Sequence, residues 1–80
     1  MLLDVPMPAL SPEMEDGVIV RWLVEPGARV QRGDLLPEIE TDKATVELEA
    51  EASGVIEAIL ASAGADRVSV GAPIVRIRTD

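Results

Sequence analysis

Pro37-Glu38-Ile39-Glu40-Thr41-Asp42-Lys43-Ala44-Thr45-Val46-Glu47-Leu48-Glu49 alternates with period two on both sides of its centre, Asp42-Lys43. Period two puts successive side chains on opposite faces of a strand, so two such runs meeting at a short centre read as a β-hairpin. Pairing across a two-residue loop at 42 and 43 sets Thr41 against Ala44, Glu40 against Thr45, Ile39 against Val46, Glu38 against Glu47 and Pro37 against Leu48. A slip of one residue on one strand would mix the apolar and charged faces, so the pattern itself sets the register and places Lys43 at the tip. Asp-Lys is not the Asn-Gly or Asp-Gly pair of the primed turns, and a type I turn is expected. Pro37 has no N–H to give to a ladder, which marks a strand start, an edge or a bulge.

Lys43 is the only lysine among seven basic residues; the other six are arginines. An arginine-rich codon bias could leave one lysine in a turn by chance, but the tip of an ordered hairpin is where an amine can be presented to another protein. Arginine stays protonated and does not serve as an amine nucleophile. A nucleophilic lysine of the chain's own needs a depressed pKa from desolvation or neighbouring cations, whereas Asp42 adjoins Lys43 and Glu40 is near, which favours the ammonium. Lys43 therefore reads as an attachment point. Glu38, Glu40, Asp42, Glu47, Glu49 and Glu51 surround it with acids. Solvated strand faces are often charged, yet Glu38 opposite Glu47 costs ~0.2–1 kcal/mol as a like-charge pair unless an arginine intervenes. A negative field guiding the hairpin to a basic partner would explain the arrangement. A hairpin face offers no cleft for a sugar, so the carboxylates do not suggest a glycosidase.

Outward from the hairpin, the chain repeats itself. Gly17-Val18-Ile19, Leu23, Gly27-Ala28, Arg29-Val30, Gly33 and Ile39 recur as Gly54-Val55-Ile56, Leu60, Gly64-Ala65, Arg67-Val68, Gly71 and Ile77, at an offset of 37 and then 38, with Asp66 as the inserted residue. Each unit reads as strand, glycine turn, short strand, glycine turn, strand, with Pro26-Gly27 and Gly33-Asp34 as turn residues. Strands are expected near 2–6, 17–24, 28–30, 35–40, 44–49, 54–60, 66–68 and 73–78. The fold class is all-β: a flattened barrel or sandwich of two small antiparallel sheets with internal pseudo-two-fold symmetry. Segment 9–16 breaks the alternation and contains Pro12, so it is a surface loop. Trp22 is expected to anchor a strand of the first repeat, and Met7 and Met14 carry no ligand signal.

Eighty residues make one domain, 1–80, and a domain this small buries only ~60% of its unfolded surface. Val, Ile, Leu and Ala with one Trp and no Phe or Tyr suit a thin core between small sheets. Without cysteine or histidine there is no disulfide framework, no thiolate metal site and no histidine base, which is poor material for an enzyme. A net charge of −8 with dispersed cations argues against nucleic acid. No apolar run reaches the ~20 residues of a membrane helix, and the N-terminus lacks a signal-peptide pattern, so the expectation is a soluble intracellular protein with no membrane partner.

Across these residues the chain closely resembles the lipoyl domains of dihydrolipoyl acyltransferases, the core subunits of 2-oxo acid dehydrogenase complexes. The likeness includes Met7-Pro8-Ala9-Leu10-Ser11-Pro12, Gly17 with Val20-Arg21-Trp22-Leu23, Glu25-Pro26-Gly27, Gly33-Asp34, Glu38 through Ala44, Gly54-Val55 and Val70-Gly71-Ala72-Pro73-Ile74. The lysine stretch is highly specific, and the Met-Pro-Ala-Leu-Ser-Pro entry resembles the pyruvate dehydrogenase branch. Glu13 stands where that branch usually has Thr, and Ala50 where Pro is common; neither bears on the lysine. The resemblance implies lipoic acid joined by an amide to Lys43, flanked by Asp42 and Ala44 in the turn, and attached by a lipoate ligase or octanoyltransferase. It implies a thiamin-diphosphate-dependent 2-oxo acid dehydrogenase that reductively acylates the arm, an acyltransferase domain that passes the acyl group to coenzyme A, and a dihydrolipoyl dehydrogenase that restores the disulfide. The chain itself is then carrier and substrate, not enzyme. It also implies that the loop, with Leu10, Ser11, Pro12 and Glu13, lies beside the lysine turn and joins Glu40 and Thr41 in recognising the dehydrogenase. The location would be cytoplasmic in a bacterium and the mitochondrial matrix in a eukaryote. The linkers and catalytic domains of that family are absent from these residues, so the chain reads as one domain of a longer protein. A biotinyl carrier domain shares the fold and the hairpin lysine but typically flanks it with methionines, against which Asp42 and Ala44 argue; an unmodified acidic docking module is the alternative from another class.

Overall fold

The computed structural model describes residues 1–41, 43–64 and 67–80. Eight strands follow in chain order: β1 Leu2–Pro6, β2 Asp16–Trp22, β3 Arg29–Val30, β4 Leu35–Glu40, β5 Thr45–Glu49, β6 Gly54–Ile59, β7 Val68–Ser69 and β8 Pro73–Thr79. Every expected strand is present, and the ends differ by up to two residues. The second stops at Trp22, whose pairing with Pro37 is held by the Leu23 N–H donating to the Leu36 carbonyl at 2.7 Å; beyond it the chain bends toward Pro26-Gly27. The insertion at Asp66, the start of the strand expected near 66–68 and the turn type at 42 and 43 involve residues outside the described set.

The strands form two antiparallel four-stranded sheets, ordered β1-β8-β6-β3 and β5-β4-β2-β7. The repeat offsets carry β2, β3 and β4 onto β6, β7 and β8, and with β1 in the place of β5 one order becomes the other. They also convert the registers: Ile19 faces Ile39 and Ile56 faces Ile77, while Arg21 faces Glu38 and Ala58 faces Arg76. Each sheet has a bulge at the same place, between Ile19 and Arg21 in one and between Ile56 and Ala58 in the other. The crossing hydrogen bonds match too, since the Gly27 N–H donates to Ile56 O at 2.8 Å and the Gly64 N–H to Ile19 O at 2.8 Å. All four turn glycines, Gly27, Gly33, Gly64 and Gly71, have φ between 73° and 97°, the left-handed region that a side chain disfavours.

Between the sheets lies a core of Val5, Met7, Ile19, Val30, Leu36, Ile39, Ala50, Ile56, Ile74, Val75 and Ile77. It is built largely from repeat mates: Ile19 with Ile56, Ile39 with Ile77, Leu36 with Ile74. Each isoleucine so buried contributes about 1.5–3 kcal/mol of transfer free energy, which explains how a thin core without Phe or Tyr suffices. Trp22 packs on the core edge and donates its Nε1–H to Ala61 O at 2.8 Å, tying the first repeat to the second.

Along the central hairpin, Glu38 faces Glu47, Ile39 faces Val46 and Glu40 faces Thr45, as the alternation requires. Pro37 does not pair with Leu48. The register shifts between Leu35 and Glu38, with Leu35 facing Glu49, so β4 carries one extra residue there and both Leu36 and Pro37 are buried. A proline cannot donate to the ladder, and the bulge accommodates it.

Candidate functional site

Lys43 is exposed at the tip of the β4–β5 hairpin, and Thr41 organises the backbone around it. The Thr41 N–H donates to Ala44 O at 2.8 Å, and the Thr41 hydroxyl donates to the same carbonyl at 2.9 Å. The hydroxyl oxygen also accepts the N–H groups of Lys43 at 3.3 Å and Ala44 at 3.2 Å. A threonine side chain thus caps the turn where a second ladder bond would otherwise close it. Thr79 makes the same pair of bonds to Met1 O, at 2.8 Å from its N–H and 3.1 Å from its hydroxyl, at the repeat-related place where the chain ends meet. The bonding pattern belongs to the threonine and the sheet geometry, not to the residues of one loop.

Beside the turn lies the loop between β1 and β2, as expected. Its Met14 N–H closes a tight turn on Ser11 O at 3.2 Å, and the Met14 sulfur accepts the Leu10 N–H at 3.3 Å. Loop and turn enclose an open groove of about 490 Å³. Leu10, Ser11, Glu13, Thr41, Lys43 and Ala44, all singled out in the sequence, line it; Pro12 and Glu40 do not, and both are exposed. Asp42 lies outside the described residues. Met14, Val46, Asp16 and Arg67 line the groove as well and carried no local signal. Arg67 reaches the site through the pairing of β2 with β7, where its Nη1 meets Asp16 Oδ1 at 2.9 Å. Among the described residues, no group of three or more candidate ligands is placed to hold a metal ion.

Charge distinguishes the two related sheets. Arg76 and Arg78 stand where the lysine-bearing sheet has Glu38 and Glu40, and Asp4 stands where it has Glu47. On the first sheet the charges compensate: Arg76 Nε meets Asp4 Oδ1 at 2.7 Å and Arg78 Nη2 meets Glu57 Oε2 at 2.7 Å. The Arg76 guanidinium, hydrogen-bonded to Asp4, holds that carboxyl below its usual range. On the lysine-bearing sheet Arg21 Nε meets Glu38 Oε1 at 2.8 Å, the intervening arginine that lets Glu38 face Glu47. No cation lies within ion-pair distance of Glu40, Glu47 or Glu49 among the described residues. The hairpin that carries the amine is therefore the less neutralised of two otherwise matched surfaces.

The biotin/lipoyl family described as "Biotin-requiring enzyme" matches residues 3–77. Over 92% of its length the chain is 49% identical to the dihydrolipoyllysine-residue acetyltransferase component of the pyruvate dehydrogenase complex of Rhizobium meliloti. It is 46% identical, over its whole length, to the pyruvate dehydrogenase E1 component subunit beta of the same organism. It spans only 17% of each of those proteins. Among solved structures, the lipoyl domain of the 2-oxoglutarate dehydrogenase complex from Azotobacter vinelandii superposes with a TM-score of 0.77 at 36% identity, covering 95% of both chains. With a family match over nearly its whole length and a solved lipoyl domain as its structural counterpart, the chain belongs to the lipoyl domains, the non-catalytic carriers of covalently attached lipoic acid in 2-oxo acid dehydrogenase complexes.

Proposed function

We propose that Lys43 is the residue that carries lipoic acid, and that the domain, residues 1–80, serves a pyruvate dehydrogenase-type complex. One observation carries the assignment: the single lysine of the chain stands exposed at the tip of a capped, register-locked hairpin, beside a groove made by the loop. A lipoate ligase or octanoyltransferase forms the amide at Nζ. The bound group supplies a dithiolane that accepts an acyl group together with two electrons. The chain's own contribution is positional. Ile39 and Val46 anchor both strands of the hairpin in the sheet, and the Thr41 cap fixes the backbone from which the Lys43 side chain departs. Asp42 and Ala44 are the neighbours of Lys43 in the sequence. Glu40, Thr41 and the loop residues Leu10, Ser11, Pro12 and Glu13 form the surface read by the thiamin-diphosphate-dependent dehydrogenase, with Glu47 and Glu49 extending the negative field that steers a basic docking face.

The host chain is a dihydrolipoyl acyltransferase, whose catalytic domain takes the acyl group to coenzyme A, and a dihydrolipoyl dehydrogenase reoxidises the carrier. The similar Rhizobium β subunit shows that such a module also occurs in a dehydrogenase component. The complex works in the bacterial cytoplasm or, in a eukaryote, the mitochondrial matrix. The test compares reductive acylation by the pyruvate dehydrogenase component of the lipoylated domain with that of free lipoamide at equal concentration. The domain reacts at least ~10-fold faster, with a salt-dependent rate, and Lys43→Arg accepts neither lipoate nor acyl group. Equal rates for domain and free lipoamide would overturn the recognition role.

A further inference from the structure

We infer that the groove between the β1–β2 loop and the lysine turn is a resting seat for the lipoyl arm of Lys43 itself, an inference that rests on Lys43 as the attachment point. Lys43 is part of the groove wall, so a chain growing from its amine begins at the groove and needs no search to enter it. Four of the lining side chains are apolar: Leu10, Met14, Ala44 and Val46. Leu10 is left 37% exposed, and the half-buried Met14 offers an unbranched, polarizable thioether, the side chain best able to conform to a ring containing sulfur. The volume of about 490 Å³ lies in the ~300–1,000 Å³ range of small-molecule sites.

The rim selects for an attached occupant. Glu13, Glu15 and Asp16 line the groove with two cations, Lys43, whose charge amidation removes, and Arg67, which is paired to Asp16. This net negative rim repels free lipoate or octanoate, which carry a carboxylate, but not the same acyl chain once amidation has removed that charge. Tethering then supplies what a shallow groove lacks. A short flexible tether gives an effective concentration of ~mM, so an intrinsic dissociation constant of about 1 mM already seats the arm half the time. The open groove lets it leave again, and the dithiolane travels partly shielded without being locked away.

The test uses the domain with methyl-labelled Leu, Met and Val, lipoylated and verified by intact mass. Nuclear Overhauser effects are expected between arm methylenes and the methyls of Leu10, Met14 and Val46. Reduction of the dithiolane by a small water-soluble phosphine should run about 2-fold slower than in a lipoylated linear peptide of residues 37–49, the half-occupancy expected of an ~mM tether. Leu10→Asn, a change at an exposed position, should restore the peptide rate. Shift changes confined to residues 41–44 together with a peptide-like reduction rate overturn the seat while leaving Lys43 as the carrier. The seat is equally overturned if the arm makes no contacts and Leu10→Asn slows only acylation by the dehydrogenase, which would make the groove a partner's site. Failure of Lys43 to take up lipoate overturns the carrier assignment and the seat with it.

Discussion

Gly17 and Gly54 occupy the same position in the two repeats, so one substitution made at both compares identical chemistry in two packing environments. A Cβ at Gly54 would lie 2.2 Å from Arg78 O and 2.9 Å from both Arg78 C and Thr79 Cα, all backbone of β8. A Cβ at Gly17 would meet the mate of that carbonyl, Glu40 O, at 3.5 Å, and its closest neighbour is the flexible Met14 Cε at 2.9 Å. Strand β8 must therefore retreat by about 0.8 Å to admit Gly54→Ala, breaking the Gly54–Thr79 pairing, whereas Gly17→Ala needs only a rotation of Met14 and a shift of a few tenths of an ångström by the buried Ile39 Cγ2, which would lie at 3.2 Å. Overpacking costs ~1–3 kcal/mol, at the top of that range where the obstacle is backbone, and a lost ladder bond about 1, offset by ~0.4–1 from the stiffer unfolded chain. Gly54→Ala should thus lose about 3 kcal/mol, lowering Tm by roughly 12–24 °C at ~4–8 °C per kcal/mol. Gly17→Ala should stay within about 1 kcal/mol of the parent, because strain and entropy gain nearly cancel. Urea and thermal unfolding of both variants reads the difference directly. Equal destabilisation, or greater loss at Gly17, would refute the claim that the repeats differ in how closely their strands approach.

Thr41→Val keeps the shape but removes the hydroxyl that bonds Lys43 N–H, Ala44 N–H and Ala44 O; unfolding should show a loss of about 1 kcal/mol, and lipoylation kinetics a decrease of ~10-fold or more, since a modifying enzyme is sensitive to displacement of the amine by even ~1 Å. For Asp4 the folded pKa is depressed by Arg76, so its stabilising contribution is complete above the ordinary aspartate value of ~3.9 and is lost as pH falls through the lower folded value. Melting temperatures against pH should accordingly show Asp4→Asn less stable than the parent near neutrality, with the two curves converging in acid.

Much of this fold is legible in the chain because its information is local or repeated. Period-two alternation around Asp42-Lys43 suffices for the register of Ile39 with Val46, and the recurrence of Gly17 at Gly54 suffices for two related sheets. Pro37 shows where such reading weakens. A missing N–H announces an irregularity, but only the buried positions of both Leu36 and Pro37 show that it is a bulge with the strand running on to Leu35. The site was half visible for the same reason. Lys43 stands out by being unique, whereas Arg67 comes to the groove through the long-range β2–β7 pairing and Met14 through a tight turn of an irregular loop, neither of which the alternation or the repeat encodes. Likewise, the like-charge pair Glu38–Glu47 was apparent from register alone, and its neutralising partner Arg21 was not assignable until β2 was placed beside β4.

On the proposed assignment Lys43 carries the one side-chain amine that this fold offers for lipoylation. Incubation with lipoate ligase, lipoic acid and ATP, and in parallel with biotin ligase, biotin and ATP, followed by intact-mass and peptide mapping, tests it most directly. One lipoyl group per chain is expected, located on Lys43, with no biotin and no modification of Lys43→Arg. Biotin on Lys43, a lipoyl group on the Met1 amine in place of Lys43, or a folded domain left unmodified by the ligase would contradict it.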